Sequence, residues 1–176
     1  MNFRDFMVKS LKDKFRDFSF AGFFRYLLFM FVVLLIQDIV ITHFRILGGC
    51  AFIPPAVCVA AGMFIGSVPG AVFSLIMGFF ADMSFPENTV MFTVLFPALA
   101  FFSAFVADFF VNRRFFAYMC VSFAAFMITG IVQAFGVFAT DGISMSAVPM
   151  VILQTLLSLP FAVPVYYFTH KWYLER

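Results

Sequence analysis

The sequence predicts an all-α integral membrane protein, a compact bundle of six transmembrane helices preceded by an amphipathic helix. Three observations predict it. Hydrophobic residues make up 64% of the 176 positions and charged residues 11%, against about 25% charged in an ordinary soluble domain. So few charges cannot cover a water-facing globule, whereas an apolar exterior suits lipid. The apolar residues fall into long runs parted by short polar turns, and the basic residues sort to one side of six crossings. Phenylalanine, with 31 copies, fits a surface that faces acyl chains.

Residues 1–19 form a separate segment. Arg4, Lys9, Lys12, Lys14 and Arg16 are basic, and Phe3, Met7, Leu11, Phe15 and Phe18 recur at helical steps. This is an amphipathic helix with a basic face. It fits an anionic cytoplasmic leaflet, and a partner-docking helix carries the same pattern. The apolar run after it begins near Gly22, is too long for a signal core and lacks an A-x-A site, which is not the pattern of a cleavable signal.

Residues 20–176 form the transmembrane domain. The first span is predicted over 23–42, followed by the polar turn HFRILGG. The apolar stretch 50–82 is too long for one crossing, since as a helix it would run about 50 Å. Gly66-Ser67-Val68-Pro69-Gly70 is the break, because proline lacks an amide donor and glycine loosens a helix. Two short spans follow, 50–66 and 69–83, paired as a tight hairpin. The fourth, fifth and sixth spans are predicted over 89–111, 115–138 and 147–170, with Pro160 and Pro164 bending the last.

Charge placement tests this count. With both ends cytoplasmic, the inner segments hold Arg4, Lys9, Lys12, Lys14, Arg16, Arg25, Arg113, Arg114, Lys171 and Arg176, and the outer loops hold Arg45. That is the division the positive-inside rule requires. Fusing the second and third spans moves Arg113, Arg114, Lys171 and Arg176 outside and destroys it.

The net charge of +2 does not point to nucleic acid. Cys50, Cys58 and Cys120 have no metal-ligand or CxxC spacing and read as small buried hydrophobes. His43 and His170 lie at span ends, and HExxH, GxSxG and phosphate-loop motifs are absent. The sequence therefore points away from an enzyme and implies no cofactor or metal. There is no Lys/Arg comb of a voltage sensor and no inverted repeat of a secondary transporter.

What remains is a set of packing and polar candidates. Gly62, Gly66, Gly70, Ser74 and Gly78 recur every four positions, a small-residue stripe that lets helix backbones approach closely. It serves packing within the chain or docking of another membrane subunit. Asp38, Asp82 and Asp108 lie near span ends, where water or basic neighbours reach them. Thr129, Gln133, Gln154, Thr155 and Ser158 lie deeper and fit interhelical hydrogen bonds, with a ligand pocket as the rival reading.

The stretch 37–83, QDIVITHFRILGGCAFIPPAVCVAAGMFIGSVPGAVFSLIMGFFADM, resembles the rod shape-determining protein MreD family. The matching features are a proline-headed span at Pro54 and Pro55, then Gly62, Gly66 and Gly70, then Gly78-Phe79 and Asp82 closing the third span. About a quarter of the chain carries them. SFPENT stands where that family often has a glycine-containing turn, and the basic N-terminus is longer. The resemblance implies a non-enzymatic scaffold of the bacterial cell-wall elongation complex in the cytoplasmic membrane. It implies MreC as a direct partner, and MreB and the elongation SEDS glycosyltransferase with its transpeptidase as indirect ones. That fold is similar to the substrate-binding subunits of energy-coupling-factor vitamin transporters, which supply the second expectation, with Gln133, Gln154 and Asp82 as pocket groups. The bulky first span, LLFMFVVLLI, lacks the Ala-xxx-Ala docking face often found in that class. Ser67→Cys should be labelled by an impermeant thiol reagent from the cytoplasmic side. Labelling from the opposite side alone would invert the topology.

Overall fold

The computed structural model describes residues 20–39, 50–84, 91–109, 115–141 and 147–174. Among them the backbone is helical except at 50–53 and Gly66, and contains no strand. The helices are α1 (Phe20–Ile39), α2 (Pro54–Ile65), α3 (Ser67–Ser84), α4 (Met91–Phe109), α5 (Phe115–Asp141) and α6 (Ala147–Leu174). Arg4, Lys9, Lys12, Lys14 and Arg16 lie outside the described residues, as do 40–42 of the expected first span.

The chain divides into two compact units, Met1–Val32 and Val33–Arg176, with the boundary inside α1. In the first unit, the helical residues Phe24, Leu28 and Phe31 expose bulky apolar side chains. In the second, α2 is the centre, packed by α3, α4, α5 and α6. The pairs α3–α4 and α5–α6 form the two most extended contacts between sequence-adjacent helices that flank it.

Among the described residues, four helices are long and apolar enough to cross a membrane: α3, α4, α5 and α6. Their exterior has the inverted polarity expected in lipid. Phe116 is 79% exposed and Phe102 62%, while Ser74, Ser103, Ser122, Thr129, Thr155, Ser158 and Thr169 are buried. A water-soluble protein distributes these residue types the other way round. The molecule has the helices and the surface of a multi-pass membrane protein.

The expected second span, 50–66, is corrected. Its helix has 12 residues, about 18 Å, against roughly 30 Å of hydrocarbon. Residues 50–53 precede the helix; Ile53 at its N-cap has φ −77° and ψ −33°, and Pro54 and Pro55 open the first turn, where an amide has no helical acceptor to lose. From Pro54 to Phe64 every residue is buried, as befits a helix that is apolar on all faces.

The break between α2 and α3 is one residue. Gly66 adopts φ 119° and ψ 171°, a region essentially limited to glycine. The Gly70 amide donates to the Gly66 carbonyl at 2.9 Å and opens α3. Pro69 therefore starts the helix rather than breaking it, because a first-turn amide has no helical acceptor to lose. The expected break at 66–70 narrows to Gly66, and the third span begins at Ser67.

Glycines decide how closely these elements meet. A Cβ on Gly62 would collide with the Ala100 carbonyl and Ser103 Oγ of α4. On Gly70 it would stand 2.8 Å from the Ala61 carbonyl and 2.9 Å from Gly62 Cα of α2. On Gly78 it would collide with the Phe92 carbonyl of α4. Backbone obstacles of this kind cannot swing aside. Gly78→Val should therefore destabilise the protein by about 1–3 kcal/mol, read as a lower unfolding midpoint in detergent. Phe79→Ala, one residue on and half exposed, should stay within about 0.5 kcal/mol. Equal losses at the two positions would refute the close α3–α4 contact.

Candidate functional site

The polar side chains gather into joints between elements rather than into one cleft. The first joint surrounds residues 51–53, a non-helical stretch that is itself buried. Buried backbone amides and carbonyls need partners, and a non-helical segment cannot supply its own. Gln37 of α1 fills the gap as a strand edge would. Its Nε2 donates to the Ala51 carbonyl at 2.9 Å, and its Oε1 accepts from the Ile53 amide at 3.0 Å. The Phe52 amide donates to Ser158 Oγ of α6 at 2.8 Å, and that hydroxyl donates to its own Gln154 carbonyl at 2.7 Å. The Phe52 ring packs on Phe92 and Phe96, with centroids 5.4 and 6.3 Å away.

The start of α2 is equally closed. Pro54 and Pro55 carry no amide hydrogen, and the Ala56 amide donates to the Ile53 carbonyl at 3.0 Å. A helix N-terminus attracts anions through its free amides. Here two of those amides do not exist and the third is taken, so this end is built to be dry. Two further side chains hold α2 by its carbonyls: Tyr118 of α5 donates to Ala56 at 3.1 Å and Ser103 of α4 donates to Val59 at 3.2 Å.

The second joint is Asp82, at the end of α3. Its Oδ1 accepts from the Phe92 amide at 2.9 Å. Its Oδ2 accepts from the Thr93 amide at 2.8 Å and from Thr93 Oγ1 at 2.6 Å. The carboxylate thus caps the first turn of α4, where amides lack helical acceptors and the helix dipole favours negative charge. Gly78 and Asp82 act on the same turn, one by close approach and the other by capping. Nearby, exposed Asp38 accepts from Ser84 Oγ at 3.0 Å.

The third joint links α5 to α6, where Gln154 Nε2 donates to Gln133 Oε1 at 2.9 Å. Thr129, Thr155 and Thr169 return their hydroxyls to carbonyls four residues back in their own helices. Ser74 is fully buried beside the Cys58 thiol, and Ser122 beside the Tyr118 hydroxyl. At the other end of α2 the contacts are aromatic. Tyr166 stacks on His170 with centroids 5.1 Å apart, and Phe64 meets both rings edge-on.

Of the small-residue positions, Gly62, Gly70 and Gly78 face neighbouring backbone within the chain, Gly66 is the hinge, and Ser74 faces α2. Asp108 is exposed. Sequence reasoning missed Tyr118 and Ser103 and treated Gln37 only as a neighbour of Asp38. A glutamine followed at a distance by an apolar stretch ending in Pro-Pro was the available signal, since prolines favour the first turn of a helix and leave the backbone before them outside its hydrogen bonds. Among the described residues no group of three His, Cys, Asp or Glu is placed to hold a metal ion.

Removing a partner from a buried backbone group costs about 1–3 kcal/mol. Gln37→Leu and Ser158→Ala should each destabilise the protein by that order. Both should speed amide exchange at residues 51–53, measured by hydrogen–deuterium exchange. Unchanged exchange in both variants would show that the segment does not depend on them. No protein-family model, curated protein or solved structure matches the chain.

Proposed function

We propose that the chain is a non-enzymatic membrane scaffold of the MreD type, a subunit of the bacterial cell-wall elongation complex. In this reading it binds MreC and, through it, connects with MreB and with the SEDS glycosyltransferase and its transpeptidase. The observation that carries the reading is where its polar groups go. Gln37, Asp82, Ser103, Tyr118, Gln133, Gln154 and Ser158 hold one element to another. What is left outside is a broad apolar surface of phenylalanine and aliphatic side chains, the kind of face that meets lipid or a partner's helix. The features behind the resemblance act together: the proline-headed α2 is the core, and Gly78 and Asp82 lock α3 onto α4.

The chain would cross the bacterial cytoplasmic membrane six times with both ends inside. α1 has 20 residues, about 30 Å of helix. The second crossing is composite. Residues 50–53 supplement the 18 Å or so of α2, which alone falls short of the hydrocarbon thickness. The vitamin-capture reading draws less support, because Gln133 and Gln154 bond each other and Asp82 is committed to α4.

Tagged protein extracted in mild detergent should retain MreC, and deletion should turn rod-shaped cells round. Failure to retain MreC together with unchanged cell shape would sink the proposal. A vitamin panel read by thermal shift should be silent, and nanomolar binding would replace the scaffold with the capture subunit.

A further inference from the structure

The middle of α6 lacks two rungs of its own hydrogen-bond ladder. Pro160 and Pro164 lie inside the helix, so the carbonyls of Leu156 and Pro160 find no amide four residues on. Leu156, Pro160 and Pro164 follow one another at four-residue steps and share one face, and all three are exposed. With exposed Ile152 they form a ridge along the outside of the bundle. The apolar span of α6 is Pro149–Trp172. Pro160 stands at its centre, about 17 Å of helix from each end.

In water a proline on an outer face does little harm, because the freed carbonyl turns to solvent. Acyl chains offer no donor, and a membrane helix with internal prolines relies on nearby hydroxyls or neighbouring helices instead. The hydroxyls of α6 are committed elsewhere. Thr155 donates to Val151, Ser158 to Gln154 and Thr169 to Val165, all from the buried face. No described side chain donates to the Leu156 or Pro160 carbonyl. Pro97 of α4 frees one carbonyl, on a face that is only partly exposed. α6 frees two, at mid-depth, on a face that is exposed.

A donor from outside the chain is what these carbonyls require. A second copy of the chain brings none at this depth. The described hydroxyls away from the helix ends, Ser74, Ser103, Ser122, Thr129, Thr155 and Ser158, are buried. Gln133 and Gln154 bond each other, about 9 Å along the helix from Pro160.

We propose that the Leu156–Pro160–Pro164 ridge of α6 is the docking face for a partner's transmembrane helix that carries a hydroxyl or carboxamide donor at mid-depth. The donor bonds a freed carbonyl in place of the missing amide, and the ridge seats in a groove of the partner helix. This inference rests on the scaffold reading, which names MreC as the partner.

Photocrosslinking in intact cells that also express MreC tests it. p-Benzoylphenylalanine replaces Leu156, or its exposed neighbour Phe161, in the full chain; Leu75 of α3 and Phe101 of α4 are the control positions. The α6 probes should yield the MreC adduct several-fold above the controls. Pro160→Ala with Pro164→Ala restores both amides, and it should cut MreC retention several-fold without lowering the unfolding midpoint in detergent. If that variant does not fold, Pro160→Ala alone, which restores one amide, takes its place. MreC retained but crosslinked as strongly from Leu75 and Phe101 as from Leu156 would overturn the docking face and leave the scaffold reading standing. Full MreC retention by the folded proline variant would overturn it as well. An adduct between two copies of the chain at Leu156, in place of MreC, would reassign the face to self-association and overturn it too. MreC retained by no form of the chain would reject the scaffold reading, and this inference with it.

Discussion

A backbone that is not helical cannot be left in an apolar interior without partners, and this chain puts one at its centre. Residues 51–53 are nearly inaccessible, at 4–6% exposure, and much of the bundle is arranged to serve them. Gln37 supplies the hydrogen bonds that a neighbouring strand would supply, and Ser158 reaches across from α6. The two prolines that open α2 also lack amides that would otherwise need partners. Once α2 is seated, α3 to α6 pack around it.

The same economy commits the described polar side chains to holding helices together. A carboxylate with a free lone pair and a base beside it can do chemistry. Asp82 instead accepts three hydrogen bonds from one helical turn. His170 has aromatic faces for neighbours, and the two glutamines of α5 and α6 satisfy each other. The interior behaves as a set of fasteners.

Much of the fold was legible in the residues. Apolar runs and turn residues placed α3 to α6 within a few positions at most ends, because span length and proline or glycine chemistry are local properties. The helix of the second span was drawn four residues too long at its start, because hydropathy reports burial and not conformation. An apolar stretch containing Pro54 and Pro55 looks the same whether it is one spanning helix or a short core helix after a non-helical lead. The Gly62, Gly70 and Gly78 spacing signalled close packing, but which surfaces met depended on the turn at Gly66, whose φ no periodicity reveals. Asp82 was visible as a carboxylate at a span end. Its role as a cap depended on the fold of α3 against α4, which brings a partner ten residues away.

The brevity of α2 has a consequence for how the protein is made. A nascent chain leaves the ribosome in order, and the translocon sorts segments into the bilayer by their own length and hydrophobicity. α2 emerges before α3 and well before α4, α5 and α6, which later cover it. When it first arrives, its non-helical lead has no Ser158 to bond and its flanks have no neighbours. It must enter paired with α3 as one hairpin, or wait at the protein-conducting channel until the later helices arrive. Completion of the C-terminal helices, rather than insertion of the N-terminal ones, is then the event that commits this chain to its native state.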